Sequence, residues 1–133
     1  MLRRRFIQLM GISIFAPFIA KKAVAVEPKK KIFLQEVIVA GYQYHQGMKD
    51  HVQFSLAVGQ ELRLIREPEN SYDQNAIAVL SPHGLKLGYI PRSDNEIPAT
   101  IAEQNHSLSA VVSEFNPSAP PWERLAIKTY MKV

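Results

Sequence analysis

Short apolar segments that alternate with turn-forming stretches constrain the fold of this chain more than any other feature. Each segment is rich in β-branched or aromatic residues, as strands are, and is bounded by Gly, Pro, Asn, Asp or Ser. The predicted strands are 32–40, 61–66, 76–80, 85–90, 107–115 and 124–132. Strands of this length and number predict a mainly β domain, a small barrel or strongly curled sheet of five to six strands.

The connections between these segments carry their own local signals. Ser81-Pro82-His83-Gly84 predicts a tight turn, so residues 76–90 form a hairpin, while residues 67–73 and 116–121 are loops. One short helix is expected to end near Gln104. Its start has two interpretations, a capping box from Ser93 to Glu96 or a first helical turn that contains Pro98.

The first 25 residues have the three-part pattern of a secretory signal. Three arginines at positions 3–5 precede an apolar stretch from Phe6 to Ala20, and Ala23-Val24-Ala25 fits the cleavage site. The arginines resemble a twin-arginine signal. We therefore expect residues 1–25 to be a signal peptide cleaved after Ala25. Residues 26–31 are then a flexible lead-in to a domain at 32–133, exported to the bacterial periplasm and in contact with the membrane only during export.

The basic character of the chain belongs mainly to this leader. Residues 1–25 carry five of the 16 basic side chains and none of the 12 acidic ones, so the formal net charge of +4 becomes −1 for the rest. A protein that coats phosphate without specificity is expected to be more basic than this.

Several classes of chemistry lack their residues. The chain has no cysteine, which excludes disulfides, thiol nucleophiles and cysteine-ligated zinc. No phosphate-binding glycine loop or zinc-protease motif is present. A metal site built from His45, His51 and Asp50 lacks a tight ligand spacing. We predict a non-enzymatic binding module without cofactor or metal.

Three stretches together resemble one known family. They are residues 41–47 (GYQYHQG), 66–79 (REPENSYDQNAIAV) and 87–92 (LGYIPR). In this order and spacing they resemble the HIRAN domain, over roughly residues 32–112. The resemblance implies a small OB-like or SH3-like β-barrel that binds single-stranded DNA and captures its 3′-hydroxyl end.

Tyr44, His45 and Asp73 are the first candidates for such a site. Tyr44 and His45 place two flat rings after a predicted strand, where they either stack on unpaired bases or simply pack at the strand end. Asp73 either accepts a hydrogen bond from a 3′-hydroxyl, which would disfavour a 3′-phosphate, or fixes its loop through an Asx turn. Gln43 departs from the family because helicase-linked relatives carry a basic residue there.

Five further residues complete the predicted nucleic-acid site. Tyr72 offers a ring and hydroxyl beside Asp73, or anchors the loop. Asn70 and Asn75 have amides suited to backbone or phosphate oxygens, and bracing of the loop is the favoured use. Arg92 matches a basic family position and is expected to pair with a phosphate unless it is merely solvated. Tyr89 falls where relatives often carry a ligand-facing His or Tyr.

A protein- or peptide-binding envelope component is the competing hypothesis. Curled sheets expose edge strands to which a peptide can add. Trp122, beside the proline-rich loop, is then either an aromatic contact or, as the favoured interpretation, a cover for the core.

Overall fold

The computed structural model describes residues 30–133, which form a mainly β domain with a few short helices. The six strands are β1 (Lys31–Ile38), β2 (Glu61–Arg66), β3 (Ile77–Leu80), β4 (Lys86–Tyr89), β5 (Ser107–Phe115) and β6 (Leu125–Lys132). The two α-helices are α1 (Asp50–Gln53) and α2 (Glu96–Glu103). Short 3-10 turns occupy Tyr42–Tyr44, Gln46–Met48, Arg92–Asp94 and Pro121–Glu123.

The strands form one sheet in the order β1-β6-β5-β2-β3-β4, with every neighbouring pair antiparallel. The sheet is curled, and within the described range 30–133 no continuous ladder joins its two edges. A single bridge between Ala40 and Tyr89 instead connects the chain just after β1 to β4, through two backbone hydrogen bonds of 2.8 and 2.9 Å. The predicted mainly β, OB-like fold is confirmed.

Gly88 makes this bridge geometrically feasible. Its φ of +152° lies outside the region that L side chains usually adopt, and a Cβ placed there would lie 2.5 Å from the Ala40 carbonyl oxygen. The same Cβ would lie 2.6 Å from Cγ1 of Val39. Only glycine lets the two backbones approach this closely.

The buried core is formed by strand residues and closed by side chains from the helical segments. The β6 sequence shows the expected alternation, because Leu125, Ile127 and Thr129 are buried while Lys128 is exposed. Tyr42, which follows β1, is fully buried and donates its hydroxyl hydrogen to the Gly47 carbonyl oxygen. Burial is the main reason that the pKa of Tyr42 is raised to about 12, although the Arg124 charge opposes the rise.

The strand predictions agree with the structure to within two residues at each end. Strand β1 begins at Lys31, which is inside the predicted lead-in 26–31. The signal-peptide prediction for residues 1–25 lies outside the described residues. Within residues 30–133, no helix is both long and apolar enough to cross a bilayer.

The start of α2 decides between the two interpretations of its sequence. Asn95 occupies the N-cap position and Pro98 lies in the first turn, as one interpretation predicts. The capping box from Ser93 to Glu96 is wrong, because Ser93 belongs to a preceding 3-10 turn and its hydroxyl contacts Asp94. Trp122 is 59% exposed, so its predicted role as a cover for the core is also wrong.

Candidate nucleic-acid interface

A cavity of about 310 Å³ lies beside the Ala40–Tyr89 bridge and contains most of the predicted site. It is lined by Ala40, Asn70, Tyr72, Asp73, Ala76, Tyr89, Ile90 and Arg92. Five of the eight predicted site residues are therefore brought together by two separate chain segments. One is the loop before β3, and the other is the end of β4 with the turn that follows it.

The loop between β2 and β3 is fixed by short-range hydrogen bonds from two of its polar side chains. Asn70 Oδ1 accepts from the backbone N–H groups of Tyr72 and Asp73, at 2.8 and 3.2 Å. Asp73 Oδ1 accepts from the backbone N–H of Asn75 at 2.9 Å, an Asx turn. Asn70 thus braces the loop, the use that the sequence favours, and Asp73 combines the Asx turn with a place in the cavity wall.

The Asp73 carboxylate has a second partner on the helix side. Asn95 donates a side-chain hydrogen bond from Nδ2 to Asp73 Oδ2 at 2.7 Å. The backbone N–H of Asn75 and then the Asn95 amide hold the pKa of Asp73 below its usual value, burial opposes them, and the charge of Arg92 adds to the lowering. Asp73 is therefore a carboxylate at neutral pH.

Tyr72 and Arg92 flank this carboxylate with different chemistry. Tyr72 is 87% exposed, so its ring is not a buried loop anchor and stands free for stacking. Arg92, in the turn after β4, is exposed, and its side chain has no hydrogen-bond or ion-pair partner among residues 30–133. The cavity thus combines an aromatic face, an acceptor and one cation.

Tyr89 presents its ring to the cavity while its hydroxyl is occupied elsewhere. The hydroxyl donates to Glu67 Oε1 at 2.9 Å and accepts from Lys86 Nζ at 3.0 Å. Lys86 Nζ also pairs with Glu67 Oε2 at 2.8 Å. The His45 ring packs edge-on against Tyr89 with ring centroids 5.6 Å apart. The hydrogen bonds to Glu67 and Lys86 and the ring contact with His45 together fix the orientation of the Tyr89 ring.

Three predicted residues lie outside the cavity lining. His45 does not line the cavity but its ring packs against that of Tyr89. Burial is the main reason that the pKa of His45 is lowered, the Lys86 charge adds to the lowering, and the Glu67 charge opposes it. Tyr44 is 80% exposed in the turn before it. Asn75 is exposed and contributes its backbone N–H to Asp73.

Sequence reasoning missed Glu67, Lys86 and Asn95 as contributors to the site. Glu67 and Lys86 are 19 residues apart, and no local pattern relates them. Asn95 did have a signal, since Asn followed by Glu96 and a proline in the first turn is typical of a helix N-terminus. A larger cavity of about 500 Å³ near Glu36 and Arg124 contains none of the predicted site residues.

The Glu67 contacts predict a pH-dependent contribution to stability. Burial alone would raise the pKa of Glu67, but hydrogen bonds from Lys86, Tyr89 and Asn70 outweigh it and hold this pKa below its usual value. A carboxyl group with a depressed folded-state pKa stabilises the fold above its unfolded pKa, and that contribution is lost as pH falls through the folded pKa. Glu67→Gln should therefore lower the free energy of unfolding by about 1 kcal/mol at pH 7.

Urea unfolding of wild type and Glu67→Gln at several pH values measures this difference. We expect the two free energies of unfolding to converge as pH falls through the folded-state pKa of Glu67, which lies below the usual value for a glutamate. Glu69→Gln is the matched control on the same loop, and Glu69 makes no ion pair within residues 30–133. A Glu67→Gln deficit that is equal at pH 7 and pH 3 would contradict the assigned contacts.

Comparisons with known proteins agree with this fold and motif arrangement. A family model described as "HIRAN domain" matches residues 32–133. A crystal structure of a protein from Lactobacillus plantarum has a TM-score of 0.70 and 30% identity, with 79% of this chain and 98% of that chain covered. The crystal structure of the HIRAN domain of human HLTF has a TM-score of 0.55 and 20% identity, with 77% of each chain covered, and at that identity supports the fold alone.

No curated protein matches the sequence. The family model nevertheless covers residues 32–133, including β5 and β6, which lie entirely beyond the three motif stretches. The structural similarity to the HIRAN domain of human HLTF agrees with that match at the level of the fold. This chain therefore belongs to the HIRAN domain family.

Proposed function

We propose that this protein binds single-stranded DNA and holds the 3′-hydroxyl end in the cavity formed by Tyr72, Asp73, Tyr89 and Arg92. HIRAN domains are nucleic-acid-binding modules and are generally not catalytic, which supports the kind of partner. The finer assignment rests on one observation. The Asp73 carboxylate lines a cavity between an exposed aromatic ring and an arginine.

The chemistry of this arrangement favours a terminal hydroxyl. A carboxylate accepts hydrogen bonds and donates none, so it stabilises a neutral 3′-hydroxyl and repels a 3′-phosphate. The Tyr72 ring can stack on the terminal base, and Arg92 can pair with the phosphate that precedes the last nucleotide. Each of the three side chains thus meets a different part of a single nucleotide.

Electrostatics keep the proposed affinity modest and local. Outside residues 1–25 the chain carries a net charge of −1, so non-specific attraction of the DNA backbone is expected to be weak. A single strand loses binding with salt by a log–log slope of about −0.7 for each neutralised phosphate. Among residues 30–133, Arg92 is the one cation that lines the cavity, so we expect a slope near that of a single contact.

Fluorescence anisotropy with a short labelled strand tests the proposal. We expect the purified protein to bind a strand ending in 3′-hydroxyl at least about tenfold more tightly than the same strand ending in 3′-phosphate. A blunt duplex, in which the terminal base is stacked and paired, should compete poorly. Equal affinity for the two strand ends, or no binding at low salt by folded protein, would refute the proposed function.

We also propose that the protein acts after export to the periplasm, on the basis of residues 1–25. In that compartment the DNA would be extracellular or incoming rather than chromosomal.

One observation favours a second candidate, an envelope protein or peptide as partner. Trp122 is 59% exposed next to the loop that borders the 500 Å³ cavity. Trp122→Ala should leave DNA binding unchanged and abolish capture of such a partner.

A further inference from the structure

The Asn95 side chain is placed in an unusual way for a residue at a helix start. It occupies the N-cap position of α2 and is only 2% exposed. An asparagine there normally accepts a hydrogen bond from a backbone N–H of the first turn, which stabilises the helix. Here the side chain makes no such bond, and its Nδ2 instead donates to Asp73 Oδ2 at 2.7 Å.

This contact joins two parts of the chain that are 22 residues apart. The helix start is itself held in the fold, because Pro98 and Ala99 in the first turn are buried. The loop that carries Asp73 is exposed at Ser71, Tyr72 and Gln74 on either side of it. A buried donor on the helix therefore orients an acceptor on an otherwise exposed loop.

The orientation has a direct consequence for the carboxylate. Its Oδ1 accepts from the backbone N–H of Asn75 and its Oδ2 accepts from Asn95, so rotation about the last side-chain bond breaks one or both contacts. A carboxylate has about four acceptor sites, and these bonds use two of them. The other two acceptor sites stay available to a ligand, and the carboxylate that lines the cavity is already oriented before the ligand binds.

We propose that Asn95 is a positioning residue for end selection, which aims the Asp73 carboxylate so that the cavity accepts a terminal hydroxyl and rejects a terminal phosphate. This inference rests on the proposed function and deepens it. The depressed pKa of Asp73, to which the Asn95 amide contributes after the Asn75 N–H, supports the same arrangement by keeping the carboxyl ionised. Binding to a preoriented acceptor avoids the entropic cost of ordering it.

Asn95→Leu is the decisive variant because leucine has the same number and branching of side-chain heavy atoms but no donor. The α2 cap is unaffected, since the Asn95 side chain makes no capping bond in the first place. We expect the preference for a 3′-hydroxyl over a 3′-phosphate strand to fall about tenfold, through weaker binding of the hydroxyl strand. Ser93→Ala is the matched control, because Ser93 lies in the same turn and its hydroxyl contacts only Asp94. Its preference should equal that of wild type.

A second measurement reports on Asn95 without any DNA, and its first part needs no variant. In the wild-type protein, the NMR signal of the Asn95 side-chain amide should shift as the Asp73 carboxyl is titrated with acid. In Asn95→Leu, which lacks this amide, the Asp73 pKa can be followed through the backbone N–H signal of Asn75 and should rise. If Asn95→Leu does not fold, its loss of selectivity is uninformative. The titration of the wild-type protein still tests whether the Asn95 amide contacts Asp73.

The outcomes separate this inference from the function on which it rests. If wild type shows no 3′-hydroxyl preference, the proposed function fails and end selection by Asn95 fails with it. If wild type has the preference and folded Asn95→Leu retains it in full, only the positioning role is overturned. An Asn95 amide signal that ignores the titration of Asp73 would likewise overturn it. A lost preference together with a raised Asp73 pKa supports it.

Discussion

Gly88→Ala is expected to lower the free energy of unfolding by about 3 kcal/mol, with contributions from backbone strain and from overpacking. The new Cβ would lie 2.5 Å from the Ala40 carbonyl oxygen and 2.6 Å from Cγ1 of Val39. Neither neighbour is the flexible end of a long side chain, so the strand and the segment after β1 must separate. The two hydrogen bonds of the Ala40–Tyr89 bridge would then be weakened or lost.

Thermal and urea unfolding measure this loss, and a domain of about 100 residues should show a fall in Tm of about 15 °C. Gly59→Ala is the matched control. Gly59 has a φ of +88° but nothing within 4 Å of its would-be Cβ, so the variant carries backbone strain without collision. We expect it to cost about 1 kcal/mol. Equal losses in the two variants would contradict a role for close approach at Gly88.

Asp73→Asn is expected to have the largest effect on binding. Asparagine keeps an acceptor for the Asn75 N–H but removes the negative charge and gains a donor. The preference for a 3′-hydroxyl strand over a 3′-phosphate strand should fall about 10- to 100-fold, the range expected for a hydrogen bond to a charged group. Affinity for the 3′-phosphate strand should hold steady or improve, because the repelling charge is gone.

Tyr72→Ala provides the comparison that separates end selection from general affinity. Stacking of a ring on a base is worth about 1–3 kcal/mol and does not depend on the terminal group. We therefore expect Tyr72→Ala to weaken binding of both strands by a similar factor and to leave their ratio unchanged. Anisotropy titrations of both variants with both strands provide the four numbers needed. A uniform loss in Asp73→Asn would refute its role as the selecting acceptor.

The fold was largely predictable because local sequence patterns indicate its strands. Glu61–Arg66 and Ser107–Phe115 match their predicted ranges in full, since alternating β-branched and apolar residues bounded by turns report strand structure directly. Residues 42–53 yielded no such prediction. This segment contains two 3-10 turns and a one-turn helix, in which the buried Tyr42 ring packs against Gly47. That arrangement depends on a specific side-chain contact, and residue propensities do not predict it.

The site was predictable as a set of residues and not as a set of contacts. The three motif stretches contain all five predicted residues that line the cavity. The partners that orient them are distant in sequence, as Lys86 is from Glu67 and Asn95 is from Asp73. Hydrogen bonds over such separations follow from the curl of the sheet and the placement of α2, and neither is encoded in a short window.

The two residues of the Ala40–Tyr89 bridge serve both the stability of the fold and the proposed binding of DNA. Both residues line the cavity, and the glycine that permits their approach lies immediately before Tyr89. Evolution of a new ligand preference through this segment is therefore constrained, because a side chain that reshapes the cavity floor also disturbs the join between the two edges of the sheet. The flanking loop and Arg92 are not part of this join, so a substitution there can change binding without breaking the bridge.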